Sequence, residues 1–83
     1  MTKTFFVDIG LVMATEALAA SLRFGRFNSC HEGYAVMKEE FDELWIEIMK
    51  KQEERDPAKL KKEAIHVGAM AIRFINDLCG VSE

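Results

Sequence analysis

Proline and cysteine are almost missing from this chain. Its 83 residues hold one proline, Pro57, and two cysteines, Cys30 and Cys79. So few cysteines exclude a disulfide framework, and no C-x-x-C pair is present for zinc or thiol exchange. The two thiols fall in different expected elements and read as reduced, which points to a cytoplasmic protein. Strand signals are missing too, because no stretch alternates apolar and polar residues for long. A basic stripe is absent: 11 basic residues face 14 acidic ones, for a net charge of −3. That balance excludes bulk nucleic acid as the expected partner. The small cluster "KLKK" at 59–62 reads as a solvated helix start. Finally, no long apolar run is free of charge. The segment "TFFVDIGLVMATEALAASL" looks like a signal peptide but carries Asp8 and Glu16 inside it. It therefore reads as a soluble amphipathic helix, and no membrane partner is expected.

What the chain does have is apolar residues, 49% of the total. That is high for a small domain, which buries a limited share of its own surface. Association with further copies is a usual remedy, so a homodimer or homotetramer is expected. The pattern is all-α: a single domain over residues 1–83, three helices in an antiparallel bundle completed by oligomerisation. The first helix should span about residues 4–23 and end near Gly25. The second should span about 30–54, opened by the capping box "SCHE" from Ser29 to Glu32. The third should span about 57–79, with Asp56 as N-cap, Pro57 in the first turn and Gly80 as terminator.

Acids crowd the second helix in "EEFDE", Glu39 to Glu43. At about 100° per residue, Glu40 is bracketed by Val36, Met37 and Leu44. Glu43 and Glu47 continue a strip along the edge of the core, while Asp42 and Glu39 point away. On the third helix Glu63 sits within the apolar face of Val67, Met70 and Phe74. His66 lies about 60° to one side, where Glu43 lies relative to Glu40. Two facing helices thus each carry an i, i+3 polar pair beside a buried stripe. Converging carboxylates cannot all stay ionised without a cation. Oxygen ligands on helices suit Mg²⁺ or Mn²⁺, and Mg²⁺ commonly also binds substrate phosphates. Without a cation, the same residues are a charged helix edge, with Glu47 pairing Lys51 at i, i+4. Ile65, Ala69 and Ile72 form a second apolar strip on the third helix, which also wants cover. Tyr34 and Trp45 are core, interface or base-stacking aromatics, and His31 caps or packs near a helix start.

"EEFDE" followed after 19 residues by "EAIH" resembles the MazG-like, all-α nucleoside triphosphate pyrophosphohydrolases. Their pattern is E-E-x-x-E, a variable spacer and E-x-x-D, and the resemblance covers roughly residues 24–79. It implies a helical dimer or tetramer that splits a nucleoside triphosphate into monophosphate and pyrophosphate, using Mg²⁺ or Mn²⁺. It implies Glu40, Glu43 and Glu63 as catalytic residues and metal ligands. Glu39 matches the leading glutamate. The fourth position departs from the pattern, because His66 stands where an aspartate is expected. His66 is either a nitrogen ligand, favouring Mn²⁺, or the mark of a weakened site. Asp77 lies about three turns further along and reaches only a distal part of a substrate. The alternative is a non-catalytic helical oligomer that binds nucleotides or other proteins.

Overall fold

Local signals set the three helices. The computed structural model describes residues 4–80. They form α1 (Phe6–Phe24), α2 (Cys30–Met49) and α3 (Pro57–Leu78), and no strand forms among the described residues. α1 stops at Gly25, whose φ of 79° suits a residue without Cβ; its N–H donates to Ser21 O. Ser29 caps α2 by accepting from Glu32 N at 3.1 Å. The return half of the expected box differs. Glu32 Oε1 accepts from Asn28 N, at 2.6 Å, so it secures the residue before the cap. Asp56 caps α3 by accepting from Ala58 N, and Pro57 occupies the first turn.

The second helix ends five residues earlier than its composition suggests, at Met49 rather than near Glu54. Lys50 is extended, and Gln52–Glu54 form a single 3₁₀ turn. Arg55 explains the break. Its Nε and Nη2 both donate to Ile48 O, and Nε also donates to Lys50 O. These bonds satisfy carbonyls that a helix end leaves open. The polar residues beyond Met49 have no apolar face to hold them in a helix.

α3 is the shared wall. Gly33 of α2 meets Phe74 and Leu78 of α3, and Glu40 meets His66, so α2 and α3 are antiparallel. The contact is tight, since a Cβ on Gly33 would lie 2.6 Å from the Phe74 ring. Met13 of α1 packs on Gly68, Glu16 faces His66, and Gly25 receives Arg73. α1 therefore runs parallel to α3. The backbones of α1 and α2 make no close approach to each other.

The core is small: Ala17, Phe27, Ala69 and Met70, with partly buried residues such as Val36, Ile72 and Phe74 packed around it. Among the described residues no large side chain is fully buried. The second apolar strip of α3 does not lie open as expected. α1 covers it: Ala69 has 0% exposure, and Ile72 packs on the core. The uncovered apolar surface lies instead on the outer faces of α1 and α2. Val7, Leu11, Leu18 and Leu22 make one exposed seam at helical spacing, and Tyr34, Phe41 and Trp45 another. Tyr34 and Trp45 are thus not core residues. No described helix is long and apolar enough to cross a membrane.

Candidate functional site

Glu40 and Glu43 stand one turn apart on α2, opposite Glu63 and His66, one turn apart on α3. The antiparallel register brings both pairs to one level. One potential ligand atom from each of the four lies within 4.8 Å of all the others. That spread is close to what a single small cation spans, since ligands opposed across Mg²⁺ lie about 4.2 Å apart. Glu40 Oε2 and Glu63 Oε2 are both buried and have no hydrogen-bond partner. A buried carboxylate oxygen without a partner is costly, so the donor set is one that fits a hard cation.

The electrostatics agree. Burial pushes the Glu40 carboxyl above its ordinary value; the nearby Glu43 charge and Glu63 add to this, and His66 opposes it. Glu63 is also raised, first by burial and then by Glu43, with His66 and Lys62 opposing. Like charges facing one another in a partly dry site disfavour ionisation.

The sequence pattern did not single out Glu16. His66 Nδ1 lies 3.5 Å from Glu40 Oε2, and its Nε2 lies 3.5 Å from Glu16 Oε1. One ring nitrogen thus faces the cluster and the other faces a carboxylate. Metal-binding histidines are commonly oriented this way. A helical wheel of α1 holds the missed signal, because Glu16 shares a side with Met13, Ala17 and Ala20.

Other acids fall elsewhere. Glu47 leaves the cluster: Lys50 Nζ donates to both of its carboxylate oxygens, at 2.9 and 3.1 Å. Lys50 takes the place of the expected Lys51, since the helix ends at Met49, before that position is reached. Asp42 points outward and pairs with Lys38 at 3.0 Å. Glu39 is exposed and lines the rim of a cleft rather than the cluster. Asp77 ties the α1–α2 loop to the end of α3. Its Oδ2 accepts from Phe27 N at 2.9 Å, and its backbone O accepts from Arg26. The Phe27 bond, with help from Asn76, holds its carboxyl below the usual range. His31 is exposed and takes no part in the cap.

Between α1 and α2, with α3 as its floor, runs a cleft of about 770 Å³. Glu40, His66 and Glu16 border one end of it. The site thus combines four potential ligands for a divalent ion with a groove large enough for a small-molecule substrate. No protein-family model matches the chain, and no curated protein or solved structure matches it either.

Proposed function

We propose that the chain is a metal-dependent nucleoside triphosphate pyrophosphohydrolase, with Mg²⁺ or Mn²⁺ held by Glu40, Glu43, Glu63 and His66. One observation carries this reading: two orphaned, buried carboxylate oxygens sit inside a cluster of four convergent ligand groups. The resemblance of "EEFDE" and "EAIH" to the MazG-like pattern supplies the substrate class. A bound ion would polarise phosphoryl oxygens and lower the pKa of water. Around it the chain's own residues do the rest. Glu40, Glu43 and Glu63 would hold the ion, and a carboxylate oxygen of the cluster left free of it accepts the proton of the attacking water. The water oxygen bonds to the α-phosphorus, the α–β anhydride bond breaks, and pyrophosphate leaves with that electron pair. His66 would offer Nδ1 to the ion, with the Glu16 carboxylate 3.5 Å from Nε2 to orient the ring. A nitrogen donor shifts preference toward Mn²⁺.

The test is release of inorganic pyrophosphate from a panel of NTPs and dNTPs with Mg²⁺ or Mn²⁺. Release is expected with at least one nucleotide, and silence across the panel would end the enzyme reading. Glu16→Gln is expected to lower Mn²⁺ affinity about tenfold in calorimetric titration. An unchanged affinity would remove Glu16 from the site.

The second reading is a non-catalytic helical module, and the exposed apolar seams on α1 and α2 favour it. Nucleotide binding with no dependence on metal would support it. Under either reading we infer self-association, as a homodimer or homotetramer. The chain's own core is small and its outer faces are apolar.

A further inference from the structure

Arg73 is 4% exposed and has no ion pair among the described residues. Its guanidinium lies over the Phe27 ring, 4.3 Å from the centroid. Nη2 donates to Gly25 O at 2.8 Å, Nη1 reaches only the Met70 sulfur at 3.3 Å, and Nε is buried without a partner. Asp77 is the carboxylate that acts on it, but both Asp77 oxygens accept from other groups, Phe27 N and Asn76 Nδ2. A thioether is a weak acceptor, and a ring face does not neutralise a charge. A buried cation left in this state is costly unless something else completes it.

Its location shows what could do so. Arg73 lines the same cleft as Glu40 and His66 of the cluster, and Arg23 and Arg26 line that cleft as well. Arg73 follows His66 by seven residues, two helical turns, so both share one face of α3 about 10 Å apart along its axis. Glu32 also borders the groove, but its Oε1 already accepts from Asn28 N. The groove is therefore polarised, with carboxylates at one end and guanidinium groups at the other.

We propose that the arginine end is a phosphate subsite, centred on Arg73 and flanked by Arg23 and Arg26. A linear polyphosphate lies along α3, one end at the acidic cluster and its far phosphate at Arg73. The arginine-end subsite is independent of the metal reading; only the placement of the near end rests on it. Guanidinium suits this ligand, because it is permanently charged and carries directed N–H donors. Nε is the donor without a partner and would take a single phosphate oxygen.

The experiment titrates inorganic pyrophosphate into the full chain in EDTA, followed by amide NMR and calorimetry, against sodium chloride at matched ionic strength. Pyrophosphate is expected to bind and to shift the amides around Gly25, Phe27 and Arg73. Arg73→Met is expected to weaken binding by about tenfold or more. Should that variant fail to fold by circular dichroism, the Arg23→Ala/Arg26→Ala pair decides, with a similar loss expected. Glu40→Gln is expected to abolish Mn²⁺ binding without weakening pyrophosphate binding in EDTA. The two readings therefore fail separately: lost Mn²⁺ binding in wild type removes the cation site only. Wild-type binding no better than chloride removes the phosphate subsite, as does a folded Arg73→Met or double variant that binds like wild type.

Discussion

Glu40→Gln is expected to act in opposite directions on activity and stability. On the proposed pyrophosphohydrolase reading, pyrophosphate release should fall by about a hundredfold or more, because the variant would remove a charged ligand from the point where phosphoryl charge is balanced. The metal-free variant, in contrast, should melt above wild type near pH 7. The reason is the raised carboxyl of Glu40, caused first by burial and then by Glu43. A raised carboxyl binds its proton more tightly in the native state than in the unfolded chain. Stability therefore falls as pH rises from the ordinary value of 4.5 through the raised one. Glu63 contributes with the same sign. Metal-free wild type should accordingly be more stable at pH 5 than at pH 7, and the variant should lose part of that slope. Added Mn²⁺ should reverse the order at pH 7, stabilising wild type and leaving the variant unmoved. Scanning calorimetry at the two pH values, with and without Mn²⁺, reads all four states. A metal-free variant that melts below wild type at pH 7 would mean these carboxylates already have adequate partners.

The second large effect concerns the outer seams. Wild type is expected to sediment as a dimer or larger at micromolar concentration, with a melting temperature that rises with protein concentration. Leu18→Glu combined with Phe41→Glu should return it to a monomer, weakening association by about thirtyfold or more. Both positions are exposed on helices whose opposite faces already pack on α3, so the charges should leave the protomer folded. A strictly monomeric wild-type profile would refute self-association, and an unchanged assembly in the double variant would place the interface elsewhere.

Much of the fold was legible because its signals are local. The Ser29 cap, the Asp56–Pro57 start and Gly25 each act within a few residues, and helical spacing put Glu40, Glu43, Glu63 and His66 beside the buried stripe. Less local effects were hidden. The stretch after Met49 is rich in good helix formers, and the bonds that Arg55 makes back to Ile48 O, which help end the helix there, could not be read from its composition. That early end also moved Glu47 from Lys51 to Lys50 and out of the acidic strip. Glu16 and Arg73 stayed hidden for another reason. Each matters only once α1 is known to lie parallel to α3, and no spacing within a single helix encodes that docking. The cover over Ala69 and Ile72 depends on the same docking.

The missing backbone contact between α1 and α2 also makes the molecule separable in its motions. α3 joins two separate interfaces, so a local opening of α1 would break no backbone contact with α2. In that open form Glu40, Glu43 and Glu63 stay together, but His66 loses Glu16 and the cleft loses a side. Amide exchange in α1 should thus be faster than in α3, and a ligand seated in the cleft would slow it. The protein would then report occupancy through the opening rate of its first helix.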